Sequence, residues 1–288
     1  MRFHNLILLT TETLKEPLED DLLLARALEA NGLRVSLENW ERFEPESQRM
    51  QAVLFRTTWG YPKKLKAFKN LLKSLSKSGL DVWNSPNQIR WNLKKDYLLK
   101  LEGLGYPVIP SKLLRREELR NISDILSKLE YESFVIKPLV GSSALGCHRL
   151  ELGDSLELLT QELQNSNCDH WLLQEFQETL ITEGELSLVF FENEFSHAAL
   201  KRPGQDDYRV QEELGGKVEI TPCPSEALRV AKKILNGLEE EPLYARVDLV
   251  RKNKGYLLME LELIEPDLFL RLHKPSVAQF SSSLLKRF

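Results

Sequence analysis

The chain has 288 residues, 42% hydrophobic and 28% charged, enough for one large domain or two smaller ones with a full core. Its 39 Lys plus Arg are outnumbered by 43 Asp plus Glu, a formal net charge of −4, which excludes nucleic acid as the main partner because phosphate binding needs a basic footprint. The apolar start Leu6 to Leu9 is too short for a spanning helix or a signal-peptide core, and Cys147, Cys168 and Cys223 form no C-x-x-C pair; a cytoplasmic protein with reduced thiols and no membrane partner is expected.

The first 85 residues alternate between strand and helix, as a small parallel sheet requires. Leu6 to Leu9 is a strand. Leu22, Leu23, Ala25 and Leu28 then recur near a 3.6 period, with Asp20 and Asp21 favouring the N-terminus of a helix and Asn31-Gly32 stopping it. Val35 to Trp40 and Val53 to Phe55 are further strands. After Tyr61-Pro62 comes a helix with Leu65, Phe68, Leu72 and Leu75 on one side and a solvated face of Lys66, Lys69, Lys73 and Lys77 on another. A short strand, Asp81 to Trp83, leads to the turn Asn84-Ser85-Pro86-Asn87 and the first domain boundary.

The back half reads as α+β with a largely antiparallel sheet. A helix carrying Lys94, Lys95, Tyr97, Leu98 and Leu101 ends at Gly103 to Gly105, and a further helical stretch lies between Glu117 and Leu129. Strands are expected at Phe134 to Pro138, Trp171 to Phe176, Leu186 to Phe191, Phe195 to Leu200, Leu243 to Val250 and Tyr256 to Ile264, with a helix near Glu226 to Leu238.

Three constellations could carry chemistry. Gly141 and Gly146 are spaced like the glycines of a Walker loop, but Cys147 and His148 stand where that motif needs Lys and Ser or Thr, so the motif is rejected. The small residues Gly141, Ser142 and Ser143 still permit close backbone approach to phosphate, as an alternative to a plain surface turn. Lys137, closing an apolar strand just before this loop, either snorkels to the surface or meets an anion. The third is an acidic hairpin: Asp248 lies on one strand, the turn Asn253-Lys254-Gly255 follows, and Glu260 and Glu262 point to one face of the next strand. Three carboxylates there suit a hard cation such as Mg²⁺ or Mn²⁺, or else a solvated sheet face. Lys201-Arg202-Pro203, Arg209 and Arg246 supply nearby cations able to neutralise a phosphoryl group.

Taken in order, these elements resemble the ATP-grasp superfamily, and most closely its glutathione-synthetase-like branch, over almost the whole chain. The resemblance implies an ATP-grasp fold of α/β plus α+β type: an N-terminal pre-ATP-grasp α/β domain over 1–85, a subdomain over 86–175 with two nucleotide lysines, and a C-terminal subdomain over 176–288 with the metal site. Trp91-Asn92-Leu93-Lys94-Lys95 is similar to the segment giving the first lysine, assigned to Lys95 beside Lys94, and Val135-Ile136-Lys137-Pro138 to the strand giving the second. Gly141, Ser142 and Ser143 would form the phosphate loop, Gln174, Glu175 and Phe176 the hinge that reads adenine, and Glu185 or Glu183 the ribose contact. Arg202 and Arg209 would bind the γ-phosphate and substrate carboxylate. Asp248, Glu260 and Glu262 match the metal ligands, with Glu262 where the family has Asn.

The implied activity is an ATP- and Mg²⁺-dependent (or Mn²⁺-dependent) ligase joining a small carboxylic acid to an amine through an acyl phosphate. Its partner would be an amino acid or peptide-like molecule, and its assembly a homo-dimer or tetramer, as is common in that family. An intramolecular cyclo-ligase of the kind that closes the D-cycloserine ring is an alternative, as is a nucleotide-binding protein without ligase activity. Arg56, Thr57, Trp59 and Tyr61, after a strand end, are candidates for acceptor specificity.

Overall fold

In a computed structural model, which describes residues 5–14, 16–47, 51–142, 144–205 and 207–288, the chain forms three sheets. The first comprises β1 (Asn5–Thr10), α1 (Glu19–Glu29), β2 (Arg34–Asn39), β3 (Gln51–Thr57), α2 (Leu65–Ser78) and β4 (Asp81–Trp83), with all strands parallel in the order β2-β1-β3-β4. Both faces of β1 are covered, which is why Leu6 to Leu9 is an unbroken apolar run. Leu6 and Leu8 pack with Leu24 and Leu28 of α1, whereas Ile7 and Leu9 pack with Phe68, Leu72 and Leu75 of α2. The apolar faces of both helices are thus turned into the core.

Next come α3 (Pro86–Asn92), α4 (Tyr97–Gly103), β5 (Ser111–Arg115), α5 (Ile122–Leu126), β6 (Ser133–Pro138), β7 (His148–Glu151), α6 (Glu157–Asn165) and β8 (His170–Glu175). Their four strands form an antiparallel sheet in the order β5-β8-β6-β7. The turn at the first boundary becomes the start of α3, where the Ser85 hydroxyl accepts from the Gln88 N–H and the Gln88 side chain accepts from the Ser85 N–H. The helix expected around Lys94 and Lys95 begins only at Tyr97. Both lysines sit in the preceding turn, which follows Asn92, whose side chain donates to the Leu261 carbonyl and accepts from the Leu263 N–H. Between Glu117 and Leu129 the periodic positions Leu119, Ile122 and Leu126 are buried as expected, but a 3₁₀ turn over Arg116–Asn121 precedes a short α5.

The last segment holds α7 (Thr179–Thr182), β9 (Glu185–Phe191), β10 (Glu194–Arg202), β11 (Lys217–Thr221), α8 (Ser225–Asn236), β12 (Tyr244–Lys252), β13 (Gly255–Glu262) and α9 (Pro275–Leu285). Its antiparallel sheet runs β11-β10-β9-β12-β13. Alternation divides the sheet. Leu186, Leu188, Phe190, Ala245, Val247 and Leu249 pack with Ala227, Ala231 and Ile234 of α8, leaving Glu185, Ser187, Arg246 and Asp248 on the other face. No helix among the described residues is long and apolar enough to cross a membrane.

Candidate active site

A cavity of about 640 Å³ lies where the three sheets meet, within the range of small-ligand sites. Apolar residues line one end: Ile109, Val135, Phe176, Leu180 and Met259. A register shift makes Met259 available. Asp248 pairs with Glu260, but Leu249 pairs with Leu258, so Met259 is a bulge residue and reaches the cavity together with Glu260.

Two lysines follow. Lys95 donates to the Gly141 carbonyl at 3.1 Å and is ion-paired with Glu260. Lys137 is 7% exposed, lines the cavity beside Gly141 and Ser142, and makes no hydrogen bond or ion pair among the described residues. Burial pushes its ammonium pKa down, with Glu260 opposing that shift. A buried cation without a partner is expensive, and its placement at a small-residue loop makes it a ready anion site.

The sheet face beyond carries alternating charges. Arg246 donates to Asp248 through Nε at 3.0 Å and Nη2 at 2.9 Å, and is also paired with Glu262. The Ser187 hydroxyl donates to Asp248 at 2.6 Å. Burial works against the Asp248 charge, yet Arg246 and Lys201 hold its carboxyl far below the usual carboxylate range. Glu260 is likewise held down against burial by Lys95 and Lys137, while burial lifts Glu262 to about 6 and Glu185 to about 7. Lys201 is paired with Glu185 and lies 3.6 Å from Asp248. That pairing depends on Gly184 (φ +92°), where a Cβ would stand 2.6 Å from the Lys201 carbonyl.

Oxygen donors alone on β12 and β13 are what a hard divalent cation takes. In this structure Lys95 and Arg246 neutralise them, and among the described residues no group of three His, Cys, Asp or Glu stands ready to hold a metal. The donor chemistry fits such an ion; the side-chain arrangement would have to adjust to take it.

Of the residues singled out from the sequence, Lys95, Lys137, Gly141, Ser142, Gln174, Glu175, Phe176, Glu185, Arg209, Asp248, Glu260 and Glu262 line this one cavity. Ser143 lies outside the described residues. Glu183 and Arg202 do not reach it. Glu183 precedes β9, is half exposed and pairs with Arg251 at 3.5 Å. Arg202 follows Lys201 on β10, so alternation turns it to the other face, where it pairs with exposed Glu219. Lys94 is exposed. Among the acceptor candidates Trp59 and Tyr61 line the cavity, whereas Arg56 and Thr57 are buried against Asp21: Arg56 Nε donates to Oδ1 at 3.0 Å and the Thr57 hydroxyl to Oδ2 at 3.0 Å. Lys201 and Arg246 carry more of the site than their sequence context suggested. Glu265, Asp267 and Arg271 also line the cavity and follow no motif read from the sequence.

Comparison with known proteins agrees with this geometry. Residues 100–272 match the family model "Prokaryotic glutathione synthetase, ATP-grasp domain", and residues 6–84 match the N-terminal domain of D-cycloserine synthetase DcsG. The cycloserine biosynthesis protein DcsG of Streptomyces lavendulae is 27% identical, with 98% of each chain covered. The crystal structure of D-cycloserine synthetase DcsG superposes with a TM-score of 0.86 at 26% identity, covering 98% of this chain and 99% of that one. D-alanine–D-alanine ligase from Bacillus anthracis complexed with ATP shares the fold, with a TM-score of 0.72 at 14% identity over 98% of this chain and 96% of that one. The chain therefore belongs to the prokaryotic glutathione synthetase ATP-grasp family, its ATP-grasp fold preceded by a parallel α/β sheet.

Proposed function

We propose that the protein is an ATP-dependent, ADP-forming ligase that joins a small carboxylic acid to an amine. The observation that carries this reading is Lys137: a buried ammonium with no described partner, beside a small-residue loop in a cavity that also has an apolar lining. A ligand phosphate supplies the missing counter-charge.

In this reading the backbone of Gln174 to Phe176 meets adenine, Glu185 the ribose hydroxyls, and Lys95, Lys137 and the Gly141–Ser142 amides the phosphates. Arg209, on the cavity wall and steered by Asp207 at 2.7 Å, stabilises charge on the transferring phosphoryl group. Asp248, Glu260 and Glu262 would hold Mg²⁺ or Mn²⁺, which supplies neutralisation of phosphate charge when bound. The substrate carboxylate attacks the γ-phosphorus and ADP leaves; the amine then attacks the acyl phosphate, forming the amide as phosphate leaves. No protein nucleophile is needed, since positioning and charge neutralisation supply the catalysis.

A cyclising ligase, with acid and amine in one molecule, is supported by the full-length likeness to the cycloserine biosynthesis protein, including the N-terminal segment that contributes Trp59 and Tyr61 to the cavity. A purely binding role would leave the cation and carboxylate array on β10, β12 and β13 without a task. Division at residues 85 and 175, a cytoplasmic location and a homo-oligomeric assembly belong to the same reading.

The test is ADP release in a coupled assay over a panel of amino acids, with and without hydroxylamine as the amine. Turnover by the wild type and its loss in Glu260→Gln, with the circular dichroism spectrum unchanged, is expected. Retained ADP release in that variant would refute the metal assignment.

A further inference from the structure

The cavity is also lined by Trp59 and Tyr61, which follow β3, and by residues after β13, Ile264 and Glu265 among them. Five Asp or Glu residues are buried among the described residues: Asp20, Asp21, Glu185, Asp248 and Glu265. Four are satisfied. Asp20 accepts from the Leu270 and Arg271 N–H groups at 2.8 and 2.9 Å, Asp21 from Arg56 and Thr57, Asp248 from Arg246 and Ser187, and Glu185 is paired with Lys201. Glu265 is 8% exposed, lines the cavity, and makes no hydrogen bond or ion pair among the described residues.

Its main chain is pinned on both sides. The Ile264 carbonyl accepts from the Tyr244 hydroxyl at 2.8 Å, and the Pro266 carbonyl accepts from Arg56 Nη1 at 3.4 Å. Both donors are buried, so the carboxylate is held at the cavity wall and cannot be carried out to water by a swing of its backbone. The cations facing this region are already engaged: Lys95 by Glu260, Arg246 by Asp248 and Glu262, and Arg271 by Asp267 at 2.9 Å and Glu212 at 2.8 Å. Burial and then Glu262 push its carboxyl up to about 8, and a carboxyl without a partner at such a depth takes its charge only against a cationic ligand.

Resting on the ligase reading above, we propose that Glu265 is the residue that recognises a protonated primary amine on the small-molecule substrate, so that the substrate is an amino acid bound as a zwitterion. The surroundings select an organic ammonium over a second metal ion. Tyr61, which feels the charge of Glu265 more than that of any other carboxylate, lines the same cavity, as do Trp59, Ile264 and Phe269; aromatic and apolar walls suit an ammonium on a carbon skeleton, whereas Mg²⁺ requires a near-complete oxygen shell. Order along the chain fits as well. Met259 packs with Phe176, whereas Tyr61 feels the charge of Glu265 more than that of Glu262 and that of Glu262 more than that of Glu260, which places an ammonium on Glu265 beyond the phosphate-facing carboxylates, with the substrate's own carboxylate turned back to the phosphates. An ammonium kept charged in an ion pair is a recognition handle, so the attacking nucleophile is a different group.

The experiment is calorimetric titration of the full chain, loaded with the non-hydrolysable analogue AMPPNP and Mg²⁺, with D-alanine, L-alanine, D-serine and L-serine, and with propionate and 3-hydroxypropionate as their deaminated counterparts. At least one amino acid should bind at least tenfold more tightly than its deaminated acid. Glu265→Gln should weaken that amino acid at least tenfold while leaving AMPPNP affinity within twofold, which also shows the variant folded. Equal affinity for amino acid and deaminated acid overturns the proposal without needing any variant. So does failure of all four amino acids to bind a chain that binds AMPPNP, or loss of Mg²⁺-dependent AMPPNP affinity in Glu265→Gln, which would make Glu265 a metal ligand. If the wild type fails to bind AMPPNP at all, the ligase reading itself falls, a distinct outcome.

Discussion

Replacing Arg56 by Met should destabilise the protein strongly, although Arg56 does not itself line the cavity. Its guanidinium and the Asp21 carboxylate are 2% and 1% exposed and meet at 3.0 Å, and the same guanidinium reaches the Pro266 carbonyl. Arg56→Met leaves Asp21 buried with only the Thr57 hydroxyl as partner, and breaking a buried pair from one side costs about 3–5 kcal/mol. With an unfolding entropy of about 2.1 cal/mol/K per residue, that cost lowers the melting temperature of a chain this long by about 5–8 °C. Arg56→Met combined with Asp21→Leu removes both charges and should recover most of the loss, to within about 1–2 kcal/mol of wild type. Thermal unfolding of wild type, both single variants and the double variant gives the cycle directly. A loss below about 1 kcal/mol in Arg56→Met, or a double variant as unstable as the sum of the singles, would refute the view that Arg56 serves the fold as Asp21's counter-ion.

Two further predictions separate neighbouring or opposing groups. Lys201→Ala should lower kcat/KM for ADP release at least 100-fold, because it removes the cation set between Glu185 and Asp248, whereas Arg202→Ala should stay within about twofold, its partner Glu219 being solvent-exposed; steady-state kinetics of the two variants decides. His197 is held down to about 4, first by burial and then by its stack on His273, while the Leu268 carbonyl bond at 3.0 Å opposes the shift. A histidine with a depressed folded pKa contributes stability that is present above the unfolded value of 6.5 and is lost as pH falls towards 4. The loss is about 3 kcal/mol over that window, and His197→Gln should flatten it in urea titrations at pH 7, 5.5 and 4.5.

Most of the fold was legible because its central strands are apolar runs that no other element could use: β1, β6, β8, β9 and β12 all fall where Leu, Ile, Val and Phe cluster. The strands that escaped, β5, β7 and β11, are all sheet edges. Edge strands carry charge to discourage further pairing, so Lys112, Arg149 and Lys217 read as loop. Helix α9 escaped because Ser281, Ser282 and Ser283 suggest a turn, yet Phe280 stacks on Phe191 at 4.4 Å and Leu284 is buried, and that packing overrides local preference. Within the site, residue type was easier to read than strand parity. The difference between Lys201 and Arg202, or between Glu185 and Glu183, is one or two residues along the chain and becomes fixed only by where β9 starts and how β10 pairs with it. Glu265 carried no motif at all. Its significance is the absence of a partner, which only the packing of Arg56, Tyr244 and the turn after β13 reveals.

Calorimetric titration of ATP with and without Mg²⁺, on the wild type and on Lys137→Met, tests the central claim most directly. Methionine fills much the same volume as lysine without burying a charge, so the variant should remain folded. The account predicts Mg²⁺-dependent ATP binding by the wild type and at least a tenfold weakening in Lys137→Met. No ATP binding by the wild type in either condition, or an affinity unchanged by the substitution, would contradict it.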